Sequence, residues 1–212
     1  MKFTSIKKKL RGMRRRARKL PLWGIHHKNL DLVSLIKNKK DYVKLWISPF
    51  YRLYQLNSKE VGKRNPPNRF RKQVIYQLIE IYLEWQRKLD QMNEDYYLKI
   101  WLGDPEFMDS QVVTALGTEI QYYERIFLMN PEPKPFPYKN VHPYFELFTW
   151  ERCVNGYYVW ESDLESEEEI NEMKSKAYKV YEDIINGQPE RSYFISTGDM
   201  WTGQIRGSGN LT

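Results

Sequence analysis

One cysteine, Cys153, stands in a chain of 212 residues. No intramolecular disulfide can form, and the composition suits a reducing compartment. Histidines number three: His26, His27 and His142. Adjacent side chains diverge on regular structure, so His26 and His27 do not share one metal easily, and with a lone cysteine no zinc set is expected. Long apolar runs are missing too. No segment approaches the roughly 18 residues of a spanning helix. After the basic start, Leu20-Pro21-Leu22-Trp23-Gly24-Ile25 gives way at once to His26-His27-Lys28, so no secretory signal is expected. Nucleotide loops fail on inspection: Gly62-Lys63 would need a glycine where Asn57 stands, and Arg64 follows instead of Ser or Thr. No catalytic constellation and no cofactor are expected.

Negative charge is scarce at one end only. The first 72 residues hold three acids, Asp31, Asp41 and Glu60, against 22 Lys and Arg. The other 140 residues hold 24 acids against 12 basic residues, so the overall +7 hides a strongly polar division. One end is built to meet a polyanion; the rest is acidic and offers that end a surface to fold back on. Aromatics make up 15% of the chain, enough to fill a core and to exclude disorder throughout.

Phe3, Ile6, Leu10, Met13, Ala17 and Leu20 recur at alternating steps of three and four, a narrow stripe along one helix face. Lys7, Lys8, Lys9, Arg11, Arg14, Arg15, Arg16, Arg18 and Lys19 cover the rest. Gly12 and the like-charged pairs Lys7 with Arg11 and Arg14 with Arg18 weaken this helix, so it needs a surface to hold it. A helix is expected over residues 5–19, ended by Pro21 and Gly24. Lys59, Lys63, Arg64, Arg69, Arg71 and Lys72 form a second cationic cluster. Phosphate backbones attract such groups by charge neutralisation and counterion release, without a defined side-chain geometry.

The rest of the chain reads as alternating strands and helices. A short helix is expected at 30–38, a strand at 41–48, a polar basic loop at 57–67 and a long helix at 68–91 carrying Phe70, Val74, Leu78, Ile81, Tyr82, Trp85 and Leu89 inward. Strands follow at 96–102 and 111–116, then a short helix at 118–129. Proline at every second residue from Pro131 to Pro137 forbids a helix and favours extended chain. Asn155-Gly156 predicts a hairpin between strands 144–154 and 157–161. Ser166 and Glu169 form a capping box for a helix running to about Asn186 and stopped by Gly187. A last strand pair, 192–196 and 202–206, is expected around Gly198-Asp199. The whole predicts an α+β fold: a mixed or antiparallel sheet with helices mainly on one face, plus the N-terminal basic helix. Residues 41–129 read β-α-β-β-α, most of a split β-α-β unit. The expected organisation is a basic arm at 1–21, one domain at 22–206 and a frayed tail at 207–212.

Other clusters have plain structural readings. Glu165, Glu167, Glu168 and Glu169 suit the positive end of a helix dipole. Cys153 reads as a buried strand thiol. Asp199-Met200-Trp201 reads as a turn beside a packed tryptophan. Two motifs, Lys9-Leu10-Arg11-Gly12-Met13-Arg14-Arg15-Arg16 and Ser110-Gln111-Val112-Val113, resemble an uncharacterised bacterial protein family that opens with a basic K-L-R-G segment. That resemblance implies a bacterial cytoplasmic protein and supplies no activity. The expected partner is a polyanion, nucleic acid first, held without catalysis by the two cationic clusters. A second reading is a small enzyme or ligand-binding protein with an aromatic-lined pocket, the arm being structural.

Overall fold

The computed structural model describes residues 13–38, 42–46, 68–92, 96–103, 112–116, 126–128 and 131–205. It is an α+β protein. Helices α1 (Met13–Lys28), α2 (Leu32–Asn38), α3 (Asn68–Leu89) and α4 (Glu167–Lys176) accompany strands β1 (Tyr42–Trp46), β2 (Tyr97–Gly103), β3 (Val112–Leu116), β4 (Ile126–Leu128), β5 (Phe148–Trp160), β6 (Lys179–Ile185) and β7 (Gln188–Ile205). The strands form one sheet in the order β1-β3-β2-β7-β5-β4, with β6 also paired to β7. Every pairing among the described residues is antiparallel.

The split β-α-β reading holds for residues 42–116. β3 lies between β1 and β2 and is antiparallel to both, so β1 and β2 run parallel with α3 connecting them. The same arrangement recurs downstream. β7 lies between β5 and β6, antiparallel to both, and α4 joins β5 to β6. The far half of β7 then pairs with β2, so one long strand stitches the two units together.

Register explains the core. Val43, Leu98, Ile100, Leu102, Val113, Ala115, Phe148 and Trp201 share one face of the sheet, and all are buried. Against them lie Phe70, Val74, Leu78, Ile81, Tyr82, Trp85 and Leu89 of α3, each buried as its helical spacing predicts. α1 and α2 pack on α3. No helix among the described residues is long and apolar enough to cross a membrane.

Four expectations are corrected. α1 does not end at Pro21 or Gly24 but runs through both to Lys28. Pro21 removes one helical hydrogen bond, a cost of about 3 kcal/mol in an isolated helix. Burial of Leu20 and Trp23 offsets it, and so do polar ties from α3: Trp85 Nε1 donates to the His27 carbonyl at 3.1 Å, and Lys88 Nζ to that of Lys28 at 2.5 Å. Those ties satisfy carbonyls that the helix end leaves open. Next, Ile126–Leu128 is not helical; it pairs with Val154–Gly156. The remaining residues of the expected 118–129 helix lie outside the described residues, as do residues 1–12 of the arm, the 57–67 loop and the 207–212 tail.

The third correction concerns turns. Asn155-Gly156 and Gly198-Asp199 are not hairpins. Asn155 pairs with Gly198 inside two continuous strands, and the register slips there by one residue. Gly156 is needed because a Cβ would stand 2.7 Å from the Phe194 ring and 2.2 Å from the Ile195 carbonyl oxygen. The two glycine signals therefore mark a paired bulge. The fourth concerns α4, which starts as expected, with the Ser166 side chain accepting from the Glu169 amide at 3.2 Å. It stops at Lys176 because Ala177 turns extended, and Val180, Tyr181, Ile184 and Ile185 suit a strand. The hairpin turn is Asn186-Gly187, with φ of 53° and 78°, joining β6 to β7.

Gly203 supplies a test of the core. A Cβ there would stand 2.5 Å from the Trp150 ring, which is stacked at 4.6 Å on Phe136 and 5.2 Å on Phe145. With aromatic neighbours behind it, Trp150 has little room to retreat. Gly203→Ala is expected to destabilise the fold by about 1–3 kcal/mol in urea denaturation, as overpacking does; an unchanged midpoint would show that the ring gives way freely.

Candidate nucleic-acid interface

α1 and α3 lie side by side and run in the same direction. Residues 17–21 of α1 face residues 69–77 of α3, Gly24 meets Gln77, and Lys28 reaches Glu80. Between the two helices opens a groove of about 650 Å³, lined among the described residues by Ala17, Leu20 and Pro21 on one side, Arg69, Lys72, Gln73, Tyr76 and Gln77 on the other, and Val141. The α3 wall is one helical stripe at spacing i, i+3, i+4, i+7 and i+8. On α1, Arg14 and Arg18 continue the stripe of Ala17 and Pro21 by the same geometry.

This packing brings part of the two cationic clusters together. Arg14, Arg15, Arg18 and Lys19 are exposed on α1, and Arg69 and Lys72 are exposed at the start of α3. Arg16 lies on α1. Arg71 points elsewhere: it is half-buried, and its Nη1 donates to the Tyr138 hydroxyl at 2.9 Å. Lys7, Lys8, Lys9, Arg11, Lys63 and Arg64 lie outside the described residues.

The carboxylates are committed to other cations. Glu80 accepts from Lys28 at 3.1 Å and from His142 at 2.9 Å. Asp199 takes two donors of Arg152, at 3.0 and 2.6 Å, and also Lys134. Arg191 pairs with Glu182 and Glu161, and Glu84 with Arg87. Among the described residues, no carboxylate pairs with Arg14, Arg15, Arg18, Lys19, Arg69 or Lys72. The described carboxylates do not neutralise these six.

Tyr76 and His142 are the groove features that sequence patterns leave hidden. Tyr76 falls off the apolar stripe of α3, a signal that it faces outward. His142 is buried, and its partner Glu80 lies far away in sequence. The Tyr144 amide donates to His142 Nδ1 at 3.1 Å, so Nε2 carries the proton given to Glu80. The Tyr76 ring rests against His142 at 4.5 Å, and the exposed Tyr144 ring lies 5.7 Å from it on the same histidine. Burial works to raise the Glu80 carboxyl, but the hydrogen bonds from His142 and Lys28 outweigh it and hold the group below its ordinary value.

The remaining clusters make contacts within the fold. Trp201 is in the core, Met200 packs with Trp101 and Cys153, and Asp199 holds the Pro-rich segment through Lys134. The Cys153 thiol is buried, and burial pushes its pKa up, away from nucleophile chemistry. His27 Nδ1–H donates to the Trp23 carbonyl at 2.7 Å. Glu167, Glu168 and Glu169 occupy the first turn of α4. No group of three metal-ligating side chains occurs among the described residues. Comparison with protein-family models, with curated proteins and with solved structures found no match to this chain.

The Glu80 bridge joins α1, α3 and the 131–147 segment, and its pH dependence has a defined sign. A carboxyl with a depressed folded-state pKa contributes stability above its unfolded value and loses it as pH falls through the folded one. The stability difference between wild type and Glu80→Gln is therefore expected to be fully present at neutral pH and to shrink as pH falls below the ordinary 4.5. Urea denaturation of both proteins across that range checks it; a difference that persists unchanged in acid would mean the bridge contributes nothing through charge.

Proposed function

We propose that this chain binds a polyanion, nucleic acid first, through the cationic face where α1 and the start of α3 lie together. The observation that carries the reading is the state of those cations. Arg14, Arg15, Arg18, Lys19, Arg69 and Lys72 have no carboxylate partner among the described residues, while Glu80, Glu84, Asp199 and Glu161 are paired with Lys28, Arg87, Arg152 and Arg191. Six cations on two packed helices, with Arg69 and Lys72 lining the groove itself, create a positive potential that attracts phosphate backbone without base readout. The same reading sets the protein in the cytoplasm, where nucleic acid meets the reducing conditions that suit the buried thiol of Cys153.

Replacing Arg14, Arg15, Arg16 and Arg18 together with Gln tests it. Affinity for any nucleic acid should fall, and the log–log salt slope on duplex DNA should flatten by up to about 0.9 for each phosphate no longer neutralised. Base preference should change little, because phosphate contacts position and do not read. Self-neutralisation predicts the reverse: a wild type with no salt-sensitive binding even at low ionic strength, and a quadruple variant that melts lower. Filter binding at several salt concentrations and thermal melts of both proteins separate the two.

A further inference from the structure

The groove contains more than charge. Its α1 side, from Ala17, Leu20 and Pro21, is apolar, as is Val141, and a charged phosphate gains nothing there. Tyr76 lines it at 38% exposure, the one aromatic among the described lining residues. That ring is held on one side by His142, whose two nitrogens are engaged by Glu80 and the Tyr144 amide. A tyrosine backed in this way is fixed before any ligand arrives. Gln73 and Gln77 flank it on the same stripe, and each amide carries both donors and an acceptor. Arg69 and Lys72 stand on the preceding turns of the same stripe, about 5–10 Å back along the helix axis.

We propose that this groove takes an unpaired nucleobase, so that the polyanion bound is single-stranded nucleic acid. The inference rests on the polyanion reading and narrows it. A base has a flat face to lie on Tyr76, an edge to hydrogen-bond with Gln73 or Gln77, and a phosphate to place near Lys72 and Arg69. Every base has such a face, so stacking of this kind tolerates sequence. In a duplex the faces are stacked on each other and turned away from the protein, and only the outer phosphates reach the arginines.

The experiment uses the full chain and three probes: a fluorescent 20-residue oligothymidylate, a labelled duplex of mixed sequence, and inorganic polyphosphate. Wild type should bind the single strand more tightly than the duplex at equal salt. Tyr76→Leu keeps bulk against His142 and removes the aromatic face. It should weaken single-strand binding by about 5- to 100-fold, with an unchanged salt slope and unchanged affinity for duplex and polyphosphate. Tyr76→Phe should restore wild-type binding. If Tyr76→Leu binds oligothymidylate as wild type does while the quadruple arginine variant is weakened, the base-binding groove is wrong and the polyanion reading stands. A Tyr76→Leu protein weakened equally on all three probes also overturns it, since that marks a general structural effect. If wild type binds none of the three at low salt, the polyanion reading itself fails.

Discussion

Tyr82 is wholly buried, and its hydroxyl is used twice: it donates to the Leu98 carbonyl of β2 and accepts from the Ile205 amide of β7, each at 3.2 Å. One side chain of α3 thus fastens the helix to the two strands through which the β-α-β units meet. A buried hydroxyl without partners would cost a few kcal/mol, so this seating is tightly specified. The surrounding face of α3, from Phe70 to Leu89, fills the hollow of the sheet. With that face committed, the opposite side of α3 is left to receive α1, and the groove is what remains where the two helices part near their beginnings. The position of every groove residue on α3 follows from which residues the sheet has already taken.

α1 depends on α3 in turn. Its sequence is poor material for an independent helix: Pro21 and Gly24 sit inside it, and Arg14 with Arg18 and Arg15 with Lys19 repel at i,i+4 by a few tenths of a kcal/mol each. Packing settles the matter. Leu20 and Trp23 are buried on α3, Gly24 lets the helices approach at Gln77, and Trp85 and Lys88 close the far end. Helices in proteins draw most of their stability from such contacts and little from propensity. Local signals end the helix at Pro21 because the compensation lies more than 50 residues away.

Legibility in the sequence follows the same division between local and distant causes. The face of α3, the capped start of α4, the α+β class and the β-α-β-β order all rest on local spacing, and all are readable from it. The two Asn-Gly pairs show where local signals fail. Both carry the same chemistry, yet Asn186-Gly187 turns the chain and Asn155-Gly156 does not. What separates them is β7, which runs past Gly156 and places Phe194 where a side chain would be. Helical spacing through Val180 and Ile184 likewise yields to pairing with β7. In the groove, the cations are evident from composition. Tyr76 is not, because its role depends on His142, and His142 is a lone histidine until the fold sets Glu80 beside it.

Paired and unpaired charge together carry the last step. The acidic body and the basic end invite the idea that each neutralises the other. The described ion pairs go another way: Lys28, Lys134, Arg152 and Arg191 serve the carboxylates, and none of them belongs to the clusters that line the groove. Cations crowded on neighbouring stripes raise each other's energy, and a fold gains nothing by keeping them unpaired. An anion binding there, as proposed, would recover that energy without rearranging the helices, because the groove walls are already fixed by the Glu80 bridge and by the seating of α3. On the proposed reading, the repulsion within α1 is what becomes affinity, and a long polyanion, meeting several of these cations at once, would recover the most.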